Sequence, residues 1–226
     1  MLDQAIRFGA ILAQPEFERG DSLLEVGSGS QGISAFIEDR VVGIDIAFAE
    51  KPAPALIPIK ASATHLPLRD ASFDRVVSSD MLEHLPPEQR GDAIAELLRV
   101  TRSHLFLACP CDLDARKIDA RLARLYRFIG IASPAWLEDH LSKIIPDAAA
   151  IRAVLEEQKT TWREIAGESG AGHFFVSLLI SSKILNRFWS TVFRRRPDRA
   201  RAVARFASLG AGKGYRKLWI VNKSLT

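Results

Sequence analysis

The sequence predicts an α/β fold, a doubly wound and mostly parallel sheet covered by helices. Short apolar, strand-like runs alternate with segments of helical periodicity, the pattern of right-handed β-α-β units. One of these runs ends in a glycine-rich turn, as the first strand of a doubly wound sheet does. With 226 residues and 47% hydrophobic composition, the chain can bury one sizeable core. We therefore expect a single domain over residues 1–226.

The elements of the first half follow in order. Apolar residues at helical spacing predict a leading helix over residues 2–14, which Pro15 ends. Helices are also predicted at residues 33–39, after the glycine-rich turn, and at residues 88–101, after two prolines. Apolar composition and flanking turn residues predict five strands, at residues 22–26, 41–45, 56–60, 74–78 and 104–109.

The second half begins with helical sequence and returns to strands. Ligands of an open parallel sheet bind beyond the carboxyl ends of its strands, so residues 112–160 are predicted to form a helical lid that selects the substrate. Strand-like runs occupy residues 160–167 and 214–223. Between them, residues 173–212 are predicted to form a basic insertion of one or two helices.

The glycine-rich turn indicates a ligand site. Gly27, Gly29 and Gly32 in "LLEVGSGSQG" have the G-x-G-x-x-G spacing, between a strand-like run and a predicted helix. Glycines allow unusual backbone angles and let a ligand approach the main chain closely. On their own the three glycines are equally consistent with a tight loop that binds nothing.

Two carboxylates narrow the kind of ligand. Asp45 ends the second predicted strand, about 20 residues beyond the start of the turn, where an acidic side chain can accept both hydroxyls of a ribose. Glu25 precedes the first glycine by two residues, where it would repel a pyrophosphate and attract a cationic ligand. The pair predicts an adenosine-containing cofactor with positive charge near its reactive end, and disfavours a nicotinamide dinucleotide.

Four motifs resemble one family in order and spacing. "LLEVGSGSQG", "GIDIA", "ASATHLPLRDASFDRVVSSDMLEHLP" and "ELLRVTRSHLFLACP" are similar to motifs of the class I S-adenosylmethionine-dependent methyltransferases, in particular the small-molecule group with an "LEHL" signature. The resemblance covers about residues 20–111, which it implies are the cofactor-binding core. It also implies a Rossmann-like sheet of seven strands, with helical insertions after the fifth and sixth strands and an antiparallel seventh strand.

The resemblance further implies the cofactor, S-adenosylmethionine, and its contacts. Glu25, Gly27 and Gly29 would face the methionine part, and Asp45 would face the ribose. Ser62 and Ala63 would contact the adenine, and Ser79 would contact the cofactor from the fourth strand. Ser28 and Ile46 complete the predicted cofactor-binding residues. Ser62 stands where the family commonly has aspartate, which removes one expected contact to the adenine amino group.

Few catalytic side chains are required, because methyl transfer mainly needs alignment of donor and acceptor. His84, just beyond the fourth strand, is the candidate general base for a hydroxyl acceptor, although a histidine there also suits a purely structural hydrogen bond. Cys109 and Cys111 are too close in sequence for a C-x-x-C metal knuckle and are expected to be free thiols. No pattern indicates a metal site.

The charge is distributed unevenly. The net charge is +4, yet residues 183–217 hold eleven basic residues and one acidic residue. This arm, with its interspersed aromatic residues, favours a solvated basic helix first and peripheral contact of residues 174–205 with anionic membrane second. Nucleic acid has the least support, because no reader module is evident. The N-terminal residues show no secretory signal, so a cytoplasmic protein is expected, with a membrane-peripheral location as the alternative.

The sequence therefore predicts a methyltransferase that uses S-adenosylmethionine on a small-molecule or lipid-linked acceptor. Two alternatives remain open at this stage. An NAD-dependent oxidoreductase shares the glycines and Asp45 but leaves Glu25 unexplained. A protein that binds S-adenosylmethionine without catalysis is also consistent, since no single catalytic residue is obligatory for methyl transfer.

Overall fold

The computed structural model describes residues 2–18, 22–48, 51–180, 183–194, 196–208 and 214–223. The strands are β1 Leu23–Val26, β2 Val41–Asp45, β3 Leu56–Lys60, β4 Phe73–Ser79, β5 Thr101–Pro110, β6 Thr161–Ser169 and β7 Gly214–Asn222. The α-helices are α1 Leu2–Leu12, α2 Arg90–Val100, α3 Asp112–Phe128, α4 Ala135–Ser142, α5 Ala148–Glu157, α6 Gly170–Ile180, α7 Lys183–Phe193 and α8 Pro197–Ser208.

All seven strands form one sheet in the order β3-β2-β1-β4-β5-β7-β6. The pairs from β3 to β5 are parallel, whereas β7 is antiparallel to both of its neighbours. The predicted doubly wound, mostly parallel seven-stranded sheet is confirmed. The chain leaves β1 for β2 on one side and reaches β4 on the other, so the strand order reverses at β1. Such a reversal opens a crevice at the carboxyl ends of these strands.

Two buried apolar clusters cover the two faces of the sheet. One includes α1 and the segment after the glycine-rich turn, with Phe8 and Phe36 in ring contact at 5.7 Å. The other includes α2 and α5, with Leu97 and Ile151 fully or nearly fully buried. Burial on both sides explains why the central strands are apolar at consecutive positions.

The basic arm does not extend away from the protein. Helix α8 packs on α1 so closely that a Cβ atom on Gly9 would lie 2.1 Å from the carbonyl oxygen of Ala200. Phe193, at the end of α7, is buried in the same cluster as α1. Phe175 and Phe188 are exposed, at 65% and 56%. Among the described residues, no helix combines the length and the apolar character needed to cross a bilayer.

Some predicted boundaries were wrong. The helix predicted at residues 33–39 is only a 3-10 helix, Gly32–Ala35, because residues 32–37 are buried on every side and do not form one apolar face. Helix α2 begins at Arg90, after a separate 3-10 helix Pro87–Gln89, and the strand after it begins at Thr101. The connection between β6 and β7 contains three helices among its described residues, where one or two were predicted.

Candidate active site

A cavity of about 650 Å³ opens at the carboxyl ends of β1, β2 and β4. Its walls are the glycine-rich turn (residues 26–32), the end of β2 (residues 44–46) and the segment after β3 (residues 61–63). The opposite wall consists of Gln4, Arg7, Asp80, Met81, His84 and Leu85. The volume falls within the usual range for sites that hold a cofactor-sized ligand.

Each glycine of the turn has a positive φ angle, but the space around the three residues differs. A Cβ atom on Gly27 would lie 2.8 Å from the Met81 side chain, and one on Gly32 would lie 1.9 Å from Oε2 of Glu25. A Cβ atom on Gly29 would meet nothing within 4 Å, because this residue borders the open cavity. The first and third glycines therefore let the turn close on the protein, while the second leaves main chain accessible to a ligand.

Asp45 holds the turn from the end of β2. Its Oδ2 atom accepts a hydrogen bond of 2.8 Å from the Gly29 amide, and its Oδ1 atom accepts one of 3.2 Å from the Ala47 amide. The side chain remains partly exposed and lines the cavity. Ile46 beside it is 69% exposed, which is a large apolar surface at the cavity wall. A carboxylate next to an exposed apolar face suits a ribose joined to a flat base.

The structure brings most of the other predicted cofactor residues into this cavity. Ser28, Ser62 and Ala63 line it. The Ser62 hydroxyl lies 2.9 Å from the Thr64 hydroxyl, so it helps to shape the bend after β3. Ser79 is buried at the end of β4 and is not part of the wall, and its hydroxyl has no partner among the described residues. The following residue, Asp80, occupies the wall instead.

Glu25 lies behind the turn and is fully buried. Its Oε2 atom accepts a hydrogen bond of 2.8 Å from the Ile33 amide, whereas Oε1 has no hydrogen-bond partner in the described part of the chain. Burial raises the pKa of Glu25 to about 7, and the Ile33 amide and the charge of Arg7 offset this effect only in part. The carboxylate is not among the residues of the wall, and only the turn separates it from the cavity.

Asp80 stands at the end of β4 in a left-handed conformation, with φ of 53°. It forms two hydrogen bonds with Arg216 of β7, at 2.7 and 2.6 Å, and a third of 3.2 Å with Arg7 of α1. Burial alone would raise the pKa of Asp80, but the charges of Arg216 and Arg7 outweigh it and hold this pKa well below the usual range. Arg216 also pairs with Glu168 of β6. The network joins three strands and α1.

A second polar network lies beside the first. Asp119 of α3 accepts a hydrogen bond of 3.0 Å from the Tyr215 hydroxyl and lies 3.3 Å from Nδ1 of His140 on α4. The His173 ring stacks on Tyr215 at 3.5 Å. His173 also contacts Glu168, with 3.4 Å between Nδ1 and Oε2, which links the two networks. Helices α3, α4 and α6 are thus fastened to the sheet by buried polar contacts.

His84 lines the cavity at the exit of β4, as predicted for a candidate base. Its Nδ1 atom lies 3.0 Å from the Asp139 carboxylate and 3.3 Å from Lys143, both on or just after α4. Burial and the nearby charge of Lys143 lower the pKa of His84, so its imidazole is neutral at pH 7. A neutral imidazole that faces the cavity can accept a proton.

The charged network at and behind the wall opposite the turn was not predicted from the sequence. Arg7 and Asp80 line the cavity, whereas Glu168 and Arg216 lie outside its wall. Arg7, Glu168 and Arg216 come from segments far apart in the chain, and no local motif contains them. The last predicted strand contained a signal, because Arg216 stands close to the apolar run Leu218 to Val221, which is typical of a buried strand. Charged residues are almost never fully buried unless they are paired, so this arginine required a partner.

Comparison with known proteins supports the predicted family. Residues 24–109 match the family model described as a methyltransferase domain. An uncharacterised methyltransferase of Mycobacterium leprae is 39% identical over 94 residues, which cover 37% of this chain and 34% of the relative. The chain thus spans about a third of the length of the curated relatives that it matches.

Solved structures share the fold over nearly the whole chain. A SAM-dependent methyltransferase from Archaeoglobus fulgidus has a TM-score of 0.54 at 16% identity, over 96% of this chain and 93% of the other. A methyltransferase from Thermotoga maritima has a TM-score of 0.53 at 11% identity, over 97% and 88%. At these identities the likeness concerns the fold alone.

Proposed function

We propose that the protein transfers a methyl group from S-adenosylmethionine to a small-molecule acceptor. The proposal starts from the methyltransferase domain that residues 24–109 match. The observation that carries the proposal is the placement of Asp45 and Glu25 on either side of the glycine-rich turn that walls the cavity. A nicotinamide dinucleotide would bring its pyrophosphate beside Glu25, whereas a sulfonium cofactor brings positive charge there.

The residues present suit the cofactor. Asp45 would accept the ribose hydroxyls, the exposed face of Ile46 would cover the adenine, and Ser62 and Ala63 would border that base. Gly27 to Gly29 would offer main-chain groups to the methionine part, with the charge of Glu25 behind them. Arg7 and Gln4 belong to the wall opposite the turn, where they would meet the carboxylate of the methionine part. Ser79 would act from beneath the wall.

The protein itself would contribute alignment and one proton acceptor. S-adenosylmethionine supplies a methyl group that is already activated by the sulfonium charge. His84 would take the proton that the acceptor loses, since its neutral ring lines the cavity and Asp139 holds its Nδ1 side. Helix α4 stands beside this end of the cavity, where its Asp139 contacts His84, and would help to exclude water.

The acceptor can also be lipid-linked, with residues 174–205 in peripheral contact with anionic membrane. Two exposed aromatic side chains, Phe175 and Phe188, support this proposal. Against it, Phe193 of the same arm is buried against α1. Sedimentation with phosphatidylserine-containing vesicles tests it. Loss of binding in a Phe175→Ser, Phe188→Ser double variant is expected, and sedimentation equal to that with neutral vesicles would contradict it.

The test of the main proposal has two steps. Isothermal titration should show binding of S-adenosylmethionine and no binding of NAD, and the reverse result would favour the oxidoreductase. Incubation with methyl-labelled cofactor and fractionated cell extract should then label a small-molecule fraction. Cofactor binding without labelling of any fraction would favour a protein that binds the cofactor without catalysis.

A further inference from the structure

Three side chains with metal-binding atoms come together at the β4 exit. Glu83 and His84 are adjacent in the 3-10 helix Leu82–His84, and His140 lies on α4. One potential ligand atom from each residue lies within 4.8 Å of the others. His84 lines the cavity, so this cluster stands at the end where the acceptor would bind.

The histidines are oriented by carboxylates. Nδ1 of His84 lies 3.0 Å from Asp139, and Nδ1 of His140 lies 3.3 Å from Asp119. Each ring therefore uses one nitrogen for a carboxylate and leaves Nε2, which has no hydrogen-bond partner among the described residues. Histidines that bind metals are held in this way in most known sites, by a carboxylate or carbonyl on the other ring nitrogen.

Glu83 supplies an independent observation. Its side chain is 1% exposed, and neither Oε1 nor Oε2 has a hydrogen-bond partner in the described part of the chain. A buried carboxylate without partners is costly, because its hydration is lost and nothing replaces it. Arg7 and Arg216 act on it only at a distance, since Arg7 donates to Asp80, and Arg216 donates to Asp80 and Glu168. Glu83 thus lacks the partner that its burial requires.

We propose that Glu83, His84 and His140 bind a divalent transition-metal ion of the zinc class. Two histidines and one glutamate are a ligand set of catalytic zinc sites, and two histidines with one carboxylate also bind ferrous iron. Around zinc the ligand atoms would lie about 3.3 Å apart. The observed limit of 4.8 Å requires a contraction that side-chain rotation can provide.

The site has two consequences. It would tie α4 to the exit of β4, which orders one wall of the cavity. It would also leave a coordination position for an oxygen or nitrogen of the acceptor, and His84 would then act as a ligand while the metal lowers the acceptor's pKa. This second consequence rests on the proposed function, whereas the binding of the metal does not.

The cysteines beside this region are a different candidate. Cys109 and Cys111 are fully buried, with 3.4 Å between their sulfur atoms. They do not belong to the cluster of Glu83, His84 and His140. The two sets are distinguishable, because thiolate ligands give cobalt(II) a sulfur-to-metal charge-transfer absorption that nitrogen and oxygen ligands do not give.

The experiment uses the full chain, freed of metal by a chelator and titrated with Zn²⁺ alone in a calorimeter. One ion per chain is expected. His84→Ala and Glu83→Gln should each weaken binding at least about 100-fold, and Asp139→Asn by about 10- to 100-fold through the loss of the carboxylate that orients His84. His65→Ala is the matched control, since this exposed histidine lies outside the cluster and should leave the affinity unchanged.

Folding of each variant is checked without metal by circular dichroism and by the thermal midpoint. Zn²⁺ should raise the midpoint of the unsubstituted protein and of His65→Ala, and not that of His84→Ala. Binding that His84→Ala and Glu83→Gln leave intact would overturn the proposal. A sulfur-to-cobalt absorption band, when the metal-free protein is titrated with cobalt(II) instead of Zn²⁺, would also overturn it. A methyl-transfer assay runs separately, so failure of the metal site and failure of the proposed function are read independently.

Discussion

Two buried carboxyl groups at the ends of neighbouring strands have pKa values that are shifted in opposite directions. Glu25 at the end of β1 is fully buried and accepts one hydrogen bond, from the Ile33 amide. Burial raises its pKa to about 7. Asp80 at the end of β4 forms hydrogen bonds with two arginines, and their charges hold its pKa below the usual range. The number of cationic partners decides the difference, because burial acts on both groups in the same direction.

The difference indicates that one carboxyl group stabilises the fold and that the other contributes to ligand binding. The charge of Asp80 is neutralised within the protein, where it joins α1, β4 and β7. The charge of Glu25 is left without a cationic hydrogen-bond partner among the described residues, beside a cavity wall of glycines. A cationic cofactor would supply what Glu25 lacks. Asp80 should therefore control stability, and Glu25 should control affinity.

The largest effect is expected from Asp80→Asn. Asparagine tolerates the positive φ of this position, so the substitution removes charge without new backbone strain. It removes one of the two carboxylates that pair with buried Arg216 and leaves Glu168 as the other, so the loss should lie at the lower end of the about 3 to 5 kcal/mol that breaking a buried ion pair costs. Urea denaturation measures the loss. Asp70→Asn, which breaks an exposed ion pair with Arg99, is the control and should cost less than about 1 kcal/mol.

Asp45→Ala should weaken the binding of S-adenosylmethionine by about 2 to 4 kcal/mol, through two lost charge-assisted hydrogen bonds to the ribose. Isothermal titration measures the affinity. Asp39→Ala is the control, because this exposed carboxylate lies outside the cavity wall. Equal affinities in the two variants would mean that the ribose is bound elsewhere.

Glu25→Gln should stabilise the protein at pH 8. Between pH 4.5 and 7 the folded protein keeps a proton on Glu25 that the unfolded chain has lost, so this group lowers stability as the pH rises. The change amounts to about 3 kcal/mol for a shift of this size. The glutamine variant lacks it and should gain stability relative to the unsubstituted protein at pH 8, but not at pH 4. Parallel denaturation curves at both pH values would refute this account.

The smallest effect is expected at the turn. Gly29→Ala and Gly32→Ala introduce a side chain at the same φ of 53°, which costs about 1 to 2 kcal/mol. Gly32→Ala must also displace the Glu25 carboxylate, whereas Gly29→Ala meets no atom within 4 Å. Gly32→Ala should therefore be the less stable variant in thermal denaturation. Equal midpoints would show that Glu25 does not lie behind the turn.

The strand that carries Glu25 and the glycine-rich turn after it could be predicted from the sequence. Its residues are close in the chain, and strand, turn and helix signals there are local. The prediction of a helix at residues 33–39 was wrong, because residues 32–37 are all buried and show no alternation of polar and apolar faces that could indicate a helix. The partners of Asp80 could not be identified from the sequence, since Arg7 and Arg216 reach it only after α1 packs and β7 returns antiparallel to β5. Contacts that depend on tertiary packing leave no spacing pattern.

The central claim is that a cationic cofactor in the cavity is held by Asp45 in the wall and by the charge of Glu25 directly behind the glycine-rich turn. Calorimetric titration with S-adenosylmethionine from pH 5.5 to 7.5 tests it most directly, because below pH 7 the cofactor must displace the proton of Glu25. The affinity of the unsubstituted protein should rise at least about tenfold over this range, and that of Glu25→Gln should stay constant. An affinity that is independent of pH in the unsubstituted protein, or that rises equally in Glu25→Gln, would contradict the claim.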